Sequence, residues 1–376
     1  MRSLKGEGQL TGFEPAKDFG NGLANCLFKY GKMLDPDTGR NTMDHYVHFS
    51  HSMLSNLTYA MVFKDREMTK WVKRGFEYQQ KMRDPDKTGI LSNDPSCVCF
   101  VADMINIGIL LTQAGEGDYW EEIDGWIRNT FVNLQITEND VEQIKARPVK
   151  KMEPLPENTI QPADGANRVL GGWYHSINPQ ARNRAIGCCN GNCSRALYYA
   201  WSNILEEDAK RLKVNLLLNR ASATADLHSY LPYEGKVVID MKRARENVLV
   251  RIPEWANWNE VSCRIDEETA PFTWDGSFIQ FGPVYPNQKI EIGFPLKTRT
   301  IKTTYLTQVK GGNPSSENIL AGEVLKLNDC EITYKGNTVV DMKPDLGYPL
   351  QRQEKYRADS VTMREVERFV SPKTFV

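Results

Sequence analysis

Apolar residues recur every three or four positions through the first half of the chain, which is the periodicity of amphipathic helices. A cluster of Asp, Pro and Gly interrupts this pattern at residues 84–89 and predicts a turn there. The pattern predicts helices over residues 49–63, 66–82, 99–113 and 119–134, and a further helix after Cys189 as far as residue 204. The first half of the chain is therefore predicted to be helical.

The pattern changes near residue 212, where short runs rich in β-branched residues begin to alternate with turn residues. This rhythm is typical of a β-sandwich. The runs lie at residues 213–218, 237–240, 248–252 and 290–294, with a hairpin pattern at 329–341. We therefore predict a multidomain α and β protein, with a helical domain over residues 1–208 and an antiparallel β-sandwich region over residues 209–376.

The composition excludes some classes of partner. The 376 residues carry a formal net charge of −1, which gives no electrostatic reason to expect nucleic acid or an anionic membrane as a partner. No apolar run approaches the length of a membrane-spanning helix. The start, MRSLKGEG, lacks the apolar stretch of a secretory signal, so the sequence as given predicts a cytoplasmic protein unless its native start differs.

Two close pairs of cysteines are the strongest chemical signal in the chain. Cys188 and Cys189 are adjacent, and neighbouring residues rarely reach the geometry of a disulfide. Cys97 and Cys99 form a second pair, so the four thiols would fill a tetrahedral zinc site if the fold brings them together. The alternative is a coincidence of core cysteines. The remaining ones show no ligand-like spacing and are predicted to be buried apolar residues: Cys26, Cys193, Cys263 and Cys330.

Histidines and aromatic residues suggest a polar pocket. His45, His48 and His51 are spaced by three, which fits either a cluster that hydrogen-bonds a substrate, a second metal site, or a helix cap followed by surface histidines. Trp173 and His175 follow a pair of glycines. Aromatic rings in such a turn suit the apolar face of a sugar, although core aromatic residues in a turn would give the same pattern.

Two carboxylates lie near the thiols in sequence. Asp94 is three residues before Cys97, and Asp103 is one helical turn after Cys99. Each is a candidate to face the thiol site. The alternative for each is a helix cap or a solvated surface residue.

Several blocks of sequence, in order along the chain, make it resemble glycoside hydrolase family 127, the β-L-arabinofuranosidase-like proteins. The similarity covers roughly residues 40–370. The blocks are HSMLS (51–55), CFVADM (99–104), AGEGDYW (114–120), GCCNGN (187–192), SRALYYAW (194–201), VNLLLNRAS (214–222), SYLPYEG (229–235) and RIPEWA (251–256).

The resemblance implies an (α/α)6 barrel followed by β-sandwich domains. It also implies a zinc site built from a Glu-x-Cys pair and a double cysteine, with a Glu as general acid/base. By position, Cys188 would be the nucleophile of a retaining mechanism and a zinc ligand together with Cys99 and Cys189. His51 would match a histidine that lines the sugar pocket, and His48, Trp173 and His175 are further candidates for substrate binding.

The chain departs from the family pattern in three places. Cys97 stands where the family has the ligand Glu, which would make the zinc site all-thiolate. The acid/base Glu has no counterpart, and Asp94 is only a substitute candidate. About five predicted helices are fewer than an (α/α)6 barrel contains, so the helical domain is expected to be a partial barrel, which a partner chain or a second copy would complete.

The expected function is a retaining glycoside hydrolase with a zinc-bound cysteine nucleophile, acting on a furanoside or a related unusual sugar. The alternative is a non-catalytic homologue, either stabilised by zinc or binding glycan without cleaving it.

Overall fold

The computed structural model describes residues 12–42, 46–91, 98–146, 166–175, 187–307 and 326–344. Asp94, Cys97 and His45 lie outside the described residues, so the predictions made for them stay predictions. All statements below refer to the described part of the chain.

The first half of the chain is helical, as predicted. The helices are α1 (Glu14–Lys29), α2 (Tyr46–Phe63), α3 (Arg66–Arg83), α4 (Val98–Gln113), α5 (Trp120–Trp126), α6 (Glu138–Ala146) and α7 (Gly187–Ser202). Helix α5 continues as a π-helical turn over Ile127–Phe131 and a 3₁₀ turn over Val132–Leu134. The prediction missed α1 and α6, and it treated residues 119–134 as one regular helix.

Helix α4 forms the centre of the helical region. Every residue from Val98 to Ile109 is buried, because α2, α3, α5 and α7 pack around it. A helix that is apolar on all sides is stable only in such a position. The buried polar side chains of α4, including Asp103 and Asn106, therefore lie inside the protein rather than in solvent.

Helix α3 shows how the local sequence sets the ends of an element. Asp65 caps its start by accepting a hydrogen bond from the backbone N–H of Met68 at 3.0 Å. Glu67 lies in the first turn, and Lys81 and Arg83 lie in the last, so each charge opposes the partial charge of the helix end.

The second half of the chain forms three sheets. The strands are β1 (Leu205–Glu207), β2 (Arg211–Val214), β3 (Arg220–Ala221), β4 (Ala225–Ser229), β5 (Lys236–Met241), β6 (Asn247–Arg251), β7 (Ser262–Ile265), β8 (Glu268–Thr269), β9 (Thr273–Asp275), β10 (Phe278–Phe281), β11 (Lys289–Gly293), β12 (Thr298–Thr307), β13 (Lys326–Lys335) and β14 (Thr338–Lys343). One sheet has the order β1-β2-β6-β10-β9, the second β3-β4-β5-β11-β7-β8, and the third β12-β13-β14.

The strands pair antiparallel, except that β2 runs parallel to β6. Buried residues of the first two sheets, such as Val250 and Ile279 in one and Ile239 and Ile292 in the other, belong to a common apolar core. This is the predicted β-sandwich. Helix α7 ends at Ser202 and β1 starts at Leu205, but the division into domains at residue 208 stays a prediction.

Buried polar contacts join the helices to the sheets. The guanidinium group of Arg251 on β6 contacts Glu121 at 2.7 Å and Asp124 at 3.6 Å, both on α5. Asn337 in the turn between β13 and β14 donates a hydrogen bond to Asp124, and the Tyr334 hydroxyl group donates to the carbonyl of Thr88 at 2.9 Å. The helical region is therefore fixed against both the sandwich and the third sheet.

None of the described helices combines the length and the apolar character needed to cross a membrane.

A three-thiol cluster and the polar layer beside it

Three of the four predicted ligands converge although ninety positions separate Cys99 from Cys189. The Sγ atoms of Cys99 and Cys189 are 3.6 Å apart, and those of Cys188 and Cys189 are 3.9 Å apart. All three sulfur atoms lie within 4.8 Å of one another, and we call this group the three-thiol cluster. None of the three forms a disulfide.

The cluster arises where α4 and α7 pack together. Cys99 lies in the first turn of α4, and Cys188 and Cys189 lie in the first turn of α7. Helix α7 includes the double cysteine, whereas the sequence pattern placed it just before the helix. The first turn of a helix carries the positive end of the dipole, and this favours a thiolate over a thiol.

The three thiols differ in exposure. Cys99 and Cys189 are completely buried, whereas Cys188 is exposed. Cys193, Cys263 and Cys330 are buried as predicted, but the prediction was wrong for Cys26, which is exposed on α1. Cys188 is therefore the member of the cluster that a bound molecule can reach.

The spacing of the sulfur atoms fits a zinc ion. Zinc–thiolate bonds of about 2.3 Å in tetrahedral geometry place ligand sulfurs about 3.8 Å apart. The Cys99–Cys189 and Cys188–Cys189 sulfur separations of 3.6 and 3.9 Å lie on either side of this value. The cluster can thus bind a metal with little movement, while the fourth ligand predicted at Cys97 lies outside the described residues.

A polar layer lies one helical turn from the thiols. Asp103, four residues after Cys99 on α4, is completely buried. Its Oδ2 atom accepts a hydrogen bond from the Ser50 hydroxyl group at 2.8 Å and a short one from Nδ1 of His51. Its Oδ1 atom accepts from the Arg195 guanidinium group at 3.0 Å. Nδ2 of Asn192 lies 3.0 Å from Nε2 of His51.

The environment of His51 favours its charged form. The hydrogen bond to Asp103 raises the pKa of the imidazole above its usual 6.5, burial opposes this shift, and the charges of Asp103 and Cys99 add to it. The His51 side chain is 38% exposed, while the Asp103 side chain behind it is 0% exposed. His51 is therefore accessible from solvent, while its Nδ1 atom is hydrogen-bonded to the buried Asp103 carboxylate.

The remaining predicted residues take other positions. His48 lies on α2 and is exposed. Trp173 is only 5% exposed, its ring is stacked on Phe131, and its Nε1–H donates to the Phe131 carbonyl at 3.3 Å. This is the packing that the alternative interpretation describes, a core aromatic residue in a turn. His175 is partly buried, and its carbonyl accepts a hydrogen bond from the backbone N–H of Val98 at 2.8 Å.

Sequence reasoning missed Asn192 and Arg195 as members of the site. The available signal was helical spacing, since these residues follow Cys188 by four and seven positions and share its face of α7. Asn190 was also missed. Its Oδ1 atom accepts from the backbone N–H of Trp173 at 2.8 Å and so joins the glycine turn to α7 beside the cluster.

Comparison with solved structures supports the fold. A GH127 β-arabinofuranosidase has a TM-score of 0.57 at 11% identity, with 90% of this chain and 55% of that chain covered. A structure described as a glycoside hydrolase has a TM-score of 0.52 at 12% identity, with coverage of 88% and 58%. A GH127 β-L-arabinofuranosidase from Geobacillus stearothermophilus T6 has a TM-score of 0.46 at 12% identity, with coverage of 78% and 46%.

The similarity to the first of these structures, at a TM-score of 0.57, shows a GH127-like fold, with a partial helical domain followed by β-sheets, as the sequence predicts. The chain spans little more than half the length of the first two structures. The sequence matches no protein-family model and no curated protein.

Proposed function

We propose that this protein is a retaining glycoside hydrolase with a zinc-bound cysteine nucleophile, acting on a furanoside or a related unusual sugar. The unequal exposure of the thiols carries the proposal, because an exposed Cys188 lies against the buried Cys99 and Cys189. A purely structural zinc site is closed, whereas a catalytic site keeps one side open to its ligand. The GH127-like fold is consistent with this chemistry.

In the proposed reaction the Cys188 thiolate attacks the anomeric carbon and the glycosidic C–O bond breaks. The leaving oxygen takes a proton from a carboxylic acid. A water molecule then attacks the same carbon, the C–S bond breaks, the thiolate is restored, and the proton of water passes to the carboxylate. Zinc bound to the thiols would hold the Cys188 sulfur as a thiolate and make it a better leaving group.

Asp103, the carboxylate that the structure describes in the polar layer, is not suited to act as the acid/base. Asp103 is completely buried and accepts hydrogen bonds from Ser50, His51 and Arg195, so it cannot reach a leaving group. Asp94, outside the described residues, remains the candidate.

Hydrolysis of 4-nitrophenyl β-L-arabinofuranoside by the purified protein tests the proposal, together with its metal content by mass spectrometry. We expect about one zinc per chain and turnover that Cys188→Ser abolishes. Cys26→Ser is the matched control, because Cys26 is also exposed but lies outside the cluster. Its activity should equal that of the wild type. Turnover that survives Cys188→Ser would refute the cysteine mechanism.

The second candidate function is a non-catalytic homologue in which zinc ties α4 to α7, or which binds glycan without cleaving it. The complete burial of Cys99 and Cys189 and the Cys97 substitution favour a tight thiolate site. Zinc in the protein with no turnover of aryl furanosides would favour this function over the first.

A further inference from the structure

The three-thiol cluster combines one exposed thiol with two buried ones. Cys188 is exposed, whereas Cys99 and Cys189 are completely buried, and none of the three forms a disulfide. All three sulfur atoms lie within 4.8 Å of one another. Cysteines that react with oxidants are typically accessible to solvent and lie beside a second thiol that resolves the oxidised form. The cluster has both features.

The geometry makes Cys99 the disulfide partner for either cysteine of α7. Its Sγ atom is 3.6 Å from that of Cys189 and within 4.8 Å of that of Cys188. A disulfide bond is about 2.05 Å long, so the closer pair has to approach by about 1.5 Å. Cys188 and Cys189 are 3.9 Å apart, but adjacent residues rarely reach disulfide geometry. Oxidation of the cluster is therefore expected to join α4 to α7 and not to close a bond within α7.

The remaining described cysteines do not combine exposure with membership of the cluster. Cys26 is exposed but lies outside the cluster. The others are buried, namely Cys193, Cys263 and Cys330. An oxidant in solvent is thus expected to react first at Cys26 and Cys188, and of these two Cys188 is the one that has cluster thiols beside it.

We propose that the three-thiol cluster is a reversible modification site for peroxide, at which Cys188 is oxidised and Cys99 resolves it by forming a disulfide between α4 and α7. The inference goes beyond the proposed function, because it depends on the positions of the thiols and not on glycoside hydrolysis. It adds a means of regulation to that function, since the disulfide blocks the sulfur proposed as the nucleophile.

The reaction has two stages. The Cys188 thiolate attacks one oxygen of hydrogen peroxide, the O–O bond breaks, and the hydroxide that leaves takes a proton from solvent. This stage oxidises the sulfur to a sulfenic acid and reduces the peroxide. The Cys99 sulfur then attacks the Cys188 sulfur, the S–O bond breaks, and the departing hydroxide takes the proton of the Cys99 thiol. One peroxide and two thiols thus give one disulfide and two water molecules, and a dithiol reductant reverses the product.

The disulfide competes with metal binding at the same sulfur atoms. Zinc binds thiolates, and the disulfide leaves one of the three cluster thiols free. Thiol–disulfide exchange with Cys189, 3.6 Å from Cys99, moves the bond within the cluster but does not change this number. Protein that carries zinc is therefore expected to release it as the disulfide forms.

Peptide mapping under non-reducing conditions tests the proposal, on the full chain treated with a small molar excess of hydrogen peroxide. Trypsin cuts after Lys and Arg, so Cys99 lies in peptide 88–128 and Cys188 in peptide 185–195. We expect these two peptides to become linked, and dithiothreitol to separate them again. Cys97 lies in the first peptide as well, so fragment ions have to place the link at Cys99. Zinc content is measured in the same samples.

Three variants separate the roles of the thiols. Cys188→Ala should slow the cross-link by at least about tenfold, because the thiols that remain in the cluster are buried. Cys99→Ala should abolish the cross-link and let Cys188 proceed to a sulfinic acid, which dithiothreitol does not reverse. Cys26→Ser is the matched control, since it removes an exposed thiol outside the cluster and should cross-link at the wild-type rate.

The outcomes separate this inference from the proposed function. A wild-type Cys188 that reaches the sulfinic acid without a cross-link would overturn the inference, and this result does not require that any variant folds. A link at Cys97, or a cross-link that forms as fast in Cys188→Ala, would also overturn it. Hydrolysis of the aryl furanoside is a separate readout. A cross-link in protein without turnover supports this inference and refutes the catalytic proposal, and turnover without a cross-link does the reverse.

Discussion

The unequal burial of the thiols leads to a prediction about two variants, Cys99→Ala and Cys188→Ala. The two should differ in their free energy of unfolding without metal, but both should lose the stabilisation that zinc provides. Cys99 is 0% exposed, so Cys99→Ala leaves a cavity the size of a sulfur atom, comparable to the loss of one methyl group. Such a loss costs about 0.5–1.5 kcal/mol of unfolding free energy. Cys188 is exposed, so Cys188→Ala in metal-free protein should change this free energy by less than about 0.5 kcal/mol.

Zinc changes this comparison because it binds the folded chain. Free zinc at about 1,000 times its dissociation constant stabilises the folded state by about 4 kcal/mol. Each variant removes one of the thiols in the cluster, so both should lose most of this increment. The measurement is urea unfolding followed by tryptophan fluorescence under reducing conditions, with chelator in one series and zinc in the other.

Cys263→Ala is the matched control for a buried cysteine. Cys263 is 2% exposed in the sandwich and lies outside the three-thiol cluster, and burial raises the pKa of its thiol to about 11, so it stays protonated near neutral pH. This variant should lose stability equally in both series and keep the full zinc increment. A Cys188→Ala protein that keeps the full increment would refute a metal site that includes Cys188.

Three further predictions follow from contacts of the described residues. The pKa of His51 should lie above 6.5 in metal-free protein and fall in Asp103→Asn, as measured by NMR titration; an unchanged pKa would contradict the role of this hydrogen bond. Because the pKa is raised on folding, His51 stabilises the fold below about pH 6.5, and this contribution disappears as the pH rises through the folded pKa. Arg251→Met should lower the free energy of unfolding in urea by about 3–5 kcal/mol, since it leaves Glu121 on α5 without its buried partner. A decrease of less than about 1 kcal/mol would contradict the importance of this ion pair. Trp173→Ala should lower the free energy of unfolding in urea by about 3–5 kcal/mol, because the buried ring loses its core packing. Unchanged stability together with weaker binding of L-arabinose would instead show that the ring contacts the sugar.

Secondary structure could be predicted from the sequence where the pattern of apolar residues is strong. Helices α2, α3 and α4 carry large apolar residues at helical spacing, and the strands β5, β6 and β11 are short runs of β-branched residues, so the sequence predicts both correctly. Helix α1 was missed because its buried face consists of the small residues Ala16, Gly20 and Ala24. Helix α6 was missed because Val141 is its only buried residue.

The sequence predicts which residue types supply the chemistry of the site, but it does not predict which of them come into contact. Adjacent cysteines and a second close pair identify thiol chemistry in the sequence itself, since neighbouring residues rarely form a disulfide. Whether Cys99 meets Cys189 depends on the packing of α4 against α7, a contact between residues ninety positions apart. Periodicity describes one element at a time and contains no information on such a contact.

The sequence by itself therefore determined which segments are helices or strands and which residue types supply the chemistry. Only the tertiary structure decided that Cys188 is exposed while Cys99 and Cys189 are buried, that Trp173 packs in the core, and that Asp103 supports His51. The physical reason is that secondary structure follows from local side-chain patterns, whereas burial and the partners of a polar group depend on which elements pack together.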